Sequence, residues 1–201
     1  MGGVDTHEVR GRGGRDADRP ARPRGVIDRG GDTPRISAAV RLVIPDLALL
    51  DAAIAGPATL ERALGCAVAE EWEVFPGALR KTRDAVAADP GRTRWGTRLF
   101  VLDEPPTLVG WGGFKGPPRD GAIELGYAIA PAWQGRGLAT AAVAELLREG
   151  FGAPGVRAVL AHTRAEPGPS ARVLEKSGFA CEGEVPDETL GTAWRFRLER
   201  P

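Results

Sequence analysis

The sequence has few of the residues that build metal centres and disulfide frameworks. It contains two histidines and two cysteines, and Cys66 and Cys181 are far apart with no closely spaced partner. Isolated thiols of this kind are typical of reduced cysteines in a cytosolic protein. Because the histidines also lie far apart and no carboxylate cluster has ligand spacing, we expect no metal site.

The sequence also has no excess charge of either sign. Lys+Arg and Asp+Glu both total 27, so no overall field attracts nucleic acid or an anionic membrane. No apolar run approaches the roughly 18 residues of a spanning helix, and the N-terminal segment lacks the apolar stretch of a secretion signal. We therefore expect a cytoplasmic protein without a membrane partner, in which any bound anion is held locally.

Large apolar side chains are scarce in residues 1–35. This segment holds eight arginines, eight glycines and six acidic residues. It cannot bury enough apolar surface to offset the entropy lost on ordering, so we expect a disordered tail before a single domain at residues 36–201. The cluster RGRGGR also fits an RNA-binding arm, but interleaved acids dilute its charge. We favour a solvated extension and expect no nucleic-acid partner.

Beyond the tail, helical and strand-like patterns alternate. Asp46 is suited to cap a first helix, and Pro57 and Pro76 mark the starts of two more. Further helices are predicted from Leu138 and in SARVLEKSG. The strand-like segments are AAVRLVI, GTRLFVLD, TLVGWGGF, IELGYAIA, RAVLAHT, FACEGEVP and TAWRFRLE. This order predicts a mixed α/β, or α+β, fold with helices packed on one sheet.

The strand IELGYAIA has one face with almost no bulk. In a regular strand Glu124, Gly126, Ala128 and Ala130 share that face. A carboxylate beside three small residues leaves room for a ligand to lie across the strand. The alternative is a bulge at Gly126 or a closely crossing helix.

The turn that follows this strand favours anion binding. In AWQGRGLA, Gly135 and Gly137 allow successive N–H groups to converge where a helix begins, and the helix N-terminus adds partial positive charge. Arg136 supplies a full charge at the same place. The pattern predicts a site for phosphate or pyrophosphate.

Two familiar phosphate-binding motifs do not fit this turn. GRGLAT has the first two glycines of a dinucleotide fingerprint, but Thr140 stands at the third and no early βαβ unit surrounds it. A P-loop needs Lys-Ser or Lys-Thr after its glycines. The Lys176–Ser177 pair stands at a helix end with no glycine loop before it.

The same residues resemble the acyl-coenzyme A signature of the GNAT acetyltransferases, Gln/Arg-x-x-Gly-x-Gly/Ala. QGRGLA matches it, with ELGY upstream and VLEKSGF downstream. Residues 39–200 resemble the branch that includes the Rim-type ribosomal-protein N-terminal acetyltransferases. The resemblance implies the GNAT fold, a mostly antiparallel mixed sheet with splayed central strands. It also implies an N-acetyltransferase that uses acetyl-CoA and a primary amine of a small molecule or a protein N-terminus.

The resemblance implies two groups of cofactor-binding residues. The residues implied to bind the acetyl-pantetheine arm through main-chain groups are Tyr127, Ala128 and Ile129. The residues implied to hold the pyrophosphate are Gln134, Gly135, Arg136, Gly137, Leu138 and Ala139. The bare backbone and the arginine of the turn would then face two phosphates.

Two residues are the candidates for catalysis. Glu124 matches an acidic position of relatives and is our candidate base, direct or through a water, with a structural salt bridge as the alternative. Ser170 matches a recurring serine and is either the proton donor to the leaving thiolate or a helix cap. A donor is needed because Leu174 stands where many relatives have a tyrosine.

Some positions depart from the family pattern or fit it loosely. Pro167 and Gly168 stand where relatives usually place a cofactor-contacting asparagine, which keeps open a non-catalytic acyl-CoA-binding regulatory module.

His162 is either a second base candidate or a structural residue. Trp72 and Phe75 lie in the early helical region where the family builds its acceptor wall, with a core or rim position as the alternative for Trp72. Phe114 and Lys115 belong to a turn that we expect at the mouth of the site. Neither the acceptor nor the oligomeric state can be read from the sequence.

Overall fold

The computed structural model describes residues 39–75 and 77–201. The predicted tail at residues 1–35 lies outside the described residues. The helices are α1 (Leu47–Ala55), α2 (Pro57–Leu64), α3 (Ala78–Ala88), α4 (Leu138–Gly152) and α5 (Pro169–Lys176). The strands are β1 (Val40–Val43), β2 (Ala67–Val68), β3 (Thr97–Asp103), β4 (Pro106–Phe114), β5 (Ala122–Ile129), β6 (Ala158–Arg164), β7 (Ala180–Asp187) and β8 (Gly191–Glu199).

Each helix and strand predicted from the sequence is present. The carboxylate of Asp46 accepts a hydrogen bond from the N–H of Leu49 at 2.8 Å, so the predicted cap of α1 is confirmed. The two-residue strand β2 and the 3₁₀ turns Pro90–Trp95 and Pro131–Trp133 were not predicted. These short elements carry no periodicity that a sequence pattern could reveal.

One eight-stranded sheet organises the described part of the chain. Its order is β1-β3-β4-β5-β6-β8-β7, and β2 pairs with β4 outside this path. The pairs along the path are antiparallel except β5–β6, which is parallel and is connected through α4. The predicted fold class, a mixed and mostly antiparallel sheet flanked by helices, is confirmed.

Two apolar cores lie on opposite faces of this sheet. Successive residues of β3 alternate between them: Leu99 and Val101 pack with α1, α2 and α3, whereas Phe100 and Leu102 pack with α4 and α5. The helix α4 contributes an apolar face to the second core, with Leu138, Ala142, Val143 and Leu146 buried. The sheet thus separates an α1–α3 side from an α4–α5 side.

Two glycines of β4 bring it close to β5. A Cβ at Gly110 would collide with the carbonyl oxygen of Ala128, and a Cβ at Gly112 would collide with that of Gly126. No larger residue fits at either position without displacing the backbone of β5. The β4–β5 pair consequently presents bare main chain on part of its surface.

The described helices include none that is both long and apolar enough to cross a membrane.

Candidate active site

The two central parallel strands separate at a defined point. Pairing of β5 with β6 runs from Ala122 to Leu125, opposite Ala158 to Ala161, and ends there. Both strands continue, β5 to Ile129 and β6 to Arg164, and β6 stays paired with β8. The divergence that the resemblance implies is therefore present. It leaves the β6-facing main-chain edge of residues 126–129 without a strand partner.

A turn of unusual backbone geometry follows β5. The side-chain amide of Gln134 donates a hydrogen bond to the carbonyl of Ile129 at 2.9 Å and closes the turn. Gly135 and Gly137 have φ of 74° and 81°, in the left-handed region where residues with a Cβ are strained. No atom lies within 4 Å of a Cβ built at either glycine, so the backbone angle and not crowding requires glycine.

The start of α4 is open to an anion. Its N-terminus at Leu138 has no side-chain cap. In the described residues, the N–H groups of residues 135–139 donate to no protein acceptor. Unpaired N–H groups at a helix start, with the partial charge of the helix dipole, form a ready anion site. Leu138 is buried while Gly135 and Gly137 are exposed, so the loop backbone faces solvent.

Arg136 has partners of its own beside this turn. Its guanidinium lies 4.8 Å from the centroid of the Trp133 ring, and Nη2 donates to the carbonyl of Ala132 at 3.0 Å. In this structure its charge is therefore held against the preceding turn. Contacts of this exposed kind are worth about 0.5–1 kcal/mol, so an anion with two charges can compete for the side chain.

Glu124 lies in a cluster of ionisable side chains. Its Oε1 atom is 2.5 Å from Nζ of Lys115 and 2.8 Å from Nδ1 of His162. His162 directly follows Ala161, the last β6 residue paired with β5, so it stands where the strands begin to diverge. The salt bridge considered as an alternative for Glu124 is present, and the carboxylate also keeps a 27% exposed side chain. The pairing register of β5 and β6 brings His162 next to Glu124, and this register cannot be read from the sequence.

Asp187, the last residue of β7, adds a further charge near this cluster. Its carboxylate accepts hydrogen bonds from the N–H groups of Leu190 at 2.8 Å and Thr189 at 2.9 Å. These bonds lower the pKa of Asp187, and the charges of Lys115 and His162 lower it further. Asp187 is therefore ionised at neutral pH and acts electrostatically on the Lys115–Glu124–His162 group.

Tyr127 reaches from β5 to the start of α5. Its hydroxyl donates to the main-chain carbonyl of Ser170 at 3.1 Å. Burial raises the pKa of the Tyr127 phenol, so the group is protonated at neutral pH. The sequence assigned only the main chain of Tyr127 to the site. The phenol was missed because its contact depends on how α5 packs beside β5.

Ser170 is exposed near the start of α5. The helix begins after Gly168 without a side-chain cap, so the capping alternative for Ser170 is wrong. Leu174, at the position of the family tyrosine, is fully buried in the α4–α5 core. It packs α5 against this core and supplies no proton donor.

A cavity of about 300 Å³ lies over the β4–β5 pair on the α1–α3 side of the sheet. Its floor includes Gly112 of β4 and Gly126 and Ala128 of β5, and Phe75 and Thr82 contribute walls. A Cβ at Gly126 would lie 3.7 Å from Cε of Lys115, so that side chain passes over part of the floor. The face predicted to be empty is therefore the floor of a cavity.

The residues that the sequence placed near the acceptor differ in whether they line this cavity. Phe75, Phe114 and Lys115 line this cavity, but Trp72 is only 4% exposed and belongs to the α1–α3 core. Trp111 lines it too, and its buried Nε1 atom has no hydrogen-bond acceptor in the described part of the chain. The cavity is thus mainly apolar with a few polar groups, as small-molecule sites usually are.

The fold and the site define a class of protein. A mixed sheet whose parallel central strands diverge next to an uncapped, glycine-containing helix start is the architecture that the acyl-coenzyme A signature implied. The chain belongs to the GNAT family: residues 48–180 match the model of the acetyltransferase (GNAT) domain.

Solved acetyltransferase structures share this fold. A chimera of spermidine N-acetyltransferase SpeG from Vibrio cholerae and hSSAT has a TM-score of 0.57 and 17% identity, covering 81% of this chain and 96% of that chain. The microcin C7 self-immunity acetyltransferase MccE, solved with acetyl-CoA and AMP, has a TM-score of 0.56 and 14% identity, covering 81% and 93%.

A third structure is yncA, a putative acetyltransferase from Salmonella typhimurium solved with its cofactor acetyl-CoA. It has a TM-score of 0.54 and 19% identity, and the match covers 80% of this chain and 94% of that chain. At these identities the likeness shows the fold. A comparison with curated protein sequences gave no significant match.

Proposed function

We propose that the domain at residues 36–201 is an N-acetyltransferase that transfers the acetyl group of acetyl-CoA to a primary amine. The observation that carries the proposal is the divergence of β5 and β6 after Leu125 and Ala161, with an unpaired main-chain edge and an uncapped helix start on its margin. The two free cysteines, Cys66 and Cys181, fit a cytoplasmic setting for this reaction.

The residues around the divergence fit acetyl-CoA. The N–H groups of residues 135–139 are suited to its diphosphate, because they lack acceptors and lie at a helix start. Gln134 shapes the turn by its bond to Ile129, and Arg136 can turn from Trp133 to add charge. The main chain of Tyr127, Ala128 and Ile129 is suited to the amide-bearing pantetheine arm. Two structural neighbours, MccE and yncA, contain acetyl-CoA, which supports the choice.

Bound acetyl-CoA supplies a thioester carbonyl, which the neutral amine nitrogen attacks while the thiolate leaves. The amine must first lose a proton. At pH 7 this costs about 1 kcal/mol for an α-amine with an ordinary pKa near 7.8, and about 4–5 kcal/mol for a lysine-type amine near 10.4. One well-placed proton acceptor is enough for the first class.

We assign Glu124 as the base that takes this proton, with His162 as its partner. Glu124 can take the proton directly, or the other ring nitrogen of His162 can receive it while the carboxylate at Nδ1 stabilises the charge. In either case the two side chains act as one unit. Lys115 shares the same carboxylate oxygen and holds it in place. The position of His162 at the start of the divergence supports this assignment.

We assign Ser170 as the proton donor to the leaving thiolate. Its side chain is exposed at the start of α5 and does not cap the helix. Tyr127 is a second candidate, favoured by its protonated phenol at 3.1 Å from the carbonyl of the same serine. A thiol with an ordinary pKa near 8.5 leaves readily at neutral pH, so a weak donor suffices.

The acceptor is proposed as a small-molecule amine or a peptide α-amine. The resemblance to the Rim-type branch favours a protein N-terminus, and the spermidine acetyltransferase neighbour favours a polyamine. A non-catalytic acyl-CoA-binding module is the alternative, based on Leu174 and on Pro167 and Gly168 at the asparagine position. The Glu124–His162 pair at the divergence favours the enzyme.

A thiol-release assay tests the proposal. Purified protein is incubated with acetyl-CoA and a panel of peptides, amino acids, polyamines and antibiotic amines, with amine-free and protein-free controls. Free thiol above both controls, with acetylated amine seen by mass spectrometry, is the expected result. Saturable acetyl-CoA binding in calorimetry without release on any amine would favour the non-catalytic module, and no binding would overturn both.

A further inference from the structure

A second cavity adjoins the one above the β4–β5 pair. It has a volume of about 430 Å³ and lies between α3, the turn Pro90–Trp95 and the segment that follows β4. Thr82, Phe114 and Lys115 line both cavities, so the two lie side by side. A single elongated molecule can occupy both, with one end on the floor of β5 and the other in the second cavity.

The lining of the second cavity has charge of one sign. It includes Lys81 of α3, Arg92, Lys115 and Arg119, and it includes no carboxylate. Lys115 is paired with Glu124, but Lys81, Arg92 and Arg119 form no ion pair within residues 39–75 and 77–201. A cleft lined by three cations that have no ion-pair partner in the described part of the chain concentrates anions and repels cations.

Part of this cationic wall is held rigidly. The guanidinium of Arg98, 2% exposed, donates to the carbonyls of Thr93 at 3.1 Å and Arg94 at 2.8 Å. It also pairs with Glu149 at 2.9 Å. The buried guanidinium of Arg98 thus fixes the turn that carries Arg92 to the body of the domain. A fixed wall lowers the ordering cost of binding a ligand there.

An apolar surface lies beside the cations. Val86 of α3 is buried and lines the cavity, and Trp95 packs edge-on against Phe114 with ring centroids 5.8 Å apart. A ligand that fits this cavity therefore has a charged group next to apolar atoms. Because the lining is cationic, that charged group is negative, and a polycation is repelled.

We propose that the acceptor amine carries an anionic group, a carboxylate or a phosphate, and that this group binds among Lys81, Arg92 and Arg119. The inference rests on the proposed acetyl transfer, because it places the amine of the same molecule over β5 near Glu124. It selects among the acceptor classes above: peptides and amino-acid-like amines with an anionic group are preferred, and polyamines are rejected.

Matched acceptors test this inference. A dipeptide with a free C-terminal carboxylate is compared with its C-terminal amide and with the amide in which a serine is O-phosphorylated, because the three have similar α-amines. Spermidine is the cationic comparison. We expect kcat/KM to be about tenfold higher for an acceptor with an anionic group than for the neutral amide. The difference should lie in KM and not in kcat. Comparing the dipeptide that has a free carboxylate with the phosphorylated amide identifies which anion is bound.

Variants of the cavity provide the second readout. Lys81→Glu and Arg92→Ala should reduce the ratio between anionic and neutral acceptors to near one, and raising the salt concentration should reduce it in the parent. Arg80→Gln is the matched control, because Arg80 is exposed one residue earlier on α3 and does not line the cavity. Unchanged acetyl-CoA affinity and circular dichroism verify that the variants fold.

The outcomes separate the two proposals. Thiol release at equal rates for anionic and neutral acceptors, or a ratio unchanged in Lys81→Glu and Arg92→Ala, overturns the anionic acceptor and leaves acetyl transfer standing. A preference for spermidine does the same. No release with any amine overturns acetyl transfer and the inference with it.

Discussion

Nδ1 of His162 lies 2.8 Å from Oε1 of Glu124, although the two residues are separated by 38 positions in the chain. The parallel register explains the contact. Glu124 pairs with Leu160, and His162 is two residues further on the same face of β6, so α4 is the crossover that brings them together. The pair stands at the last point where β5 and β6 are still joined.

Glu124→Gln should reduce turnover most at neutral pH. The amide cannot take a proton, so kcat/KM is expected to fall about a hundredfold at pH 7. Near pH 10 an α-amine is already neutral and the deficit should shrink to a few-fold. The measurement is a pH–rate profile of thiol release with one peptide acceptor. A deficit that is constant across pH contradicts the role of Glu124 as a base.

His162→Gln tests whether the imidazole shares in proton transfer. The substituted amide can still hydrogen-bond Glu124 but cannot take up a proton, so kcat is expected to fall about tenfold with the same pH dependence as in Glu124→Gln. Combining the two substitutions should cost no more than Glu124→Gln alone, since both remove one unit. Additive losses would assign His162 a purely structural part.

Arg136→Ala should weaken acetyl-CoA binding about fivefold at low salt, through the loss of about 1 kcal/mol of charge interaction. The difference should nearly vanish at about 1 M salt, where screening acts within roughly 3 Å. Calorimetric titration over a salt series is the measurement. Arg148→Ala is the control, because Arg148 lies near the other end of α4 and pairs with Glu145. Equal affinity in Arg136→Ala and the parent rules out the assigned contact.

Gly137→Ala should destabilise the fold by about 1–2 kcal/mol, because φ is 81° at this position and alanine disfavours that region. Gly152→Ala, at the end of the same helix, meets no atom within 4 Å and has no left-handed backbone. We expect it to stabilise by about 0.5 kcal/mol. The urea midpoints of the two variants should therefore shift in opposite directions. Stabilisation of both variants would contradict the left-handed backbone at Gly137.

Tyr127 is the only tyrosine of the chain, so its ionisation can be followed by ultraviolet absorbance. Burial raises the pKa of its phenol in the folded protein, whereas the unfolded chain titrates near the ordinary value of about 10. The folded state keeps its proton where the unfolded state has lost it, so this group makes the free energy of unfolding fall as pH rises above about 10.

Two measurements check this linkage. The absorbance midpoint of the native protein should lie above that of the protein in concentrated urea. Tyr127→Phe should remove part of the alkaline decrease in the free energy of unfolding, with Ser170→Ala as a control that retains the phenol. Coinciding midpoints would show that the phenol is not buried.

The local structure and the chemistry of single segments could be predicted from the sequence. Alternation of apolar residues predicted β5, and the caps and prolines predicted where α1 and α2 begin. The glycines of QGRGLA predicted a turn with converging N–H groups before α4. In each case the information lies within a dozen neighbouring residues.

Features that depend on register or packing were not predictable. Lys115 and His162 meet Glu124 only because β4 and β6 flank β5. The hydrogen bond from Tyr127 to Ser170 depends on how β5 and α5 meet. For Trp72 the sequence left both the core and the acceptor wall open, and only the packing places its side chain in the core. None of these relationships has a local signature.

The close approach of β4 and β5 leaves the cavity floor as main chain, while α3 and the turn Pro90–Trp95 supply much of its surroundings. In the proposed reaction, the chemistry and the choice of acceptor therefore depend on separate parts of the polypeptide. Exchanging side chains on α3 can retarget the protein to another molecule while the sheet and the helix start keep their arrangement. Proteins with this arrangement can therefore change acceptor in evolution while they keep the same reaction.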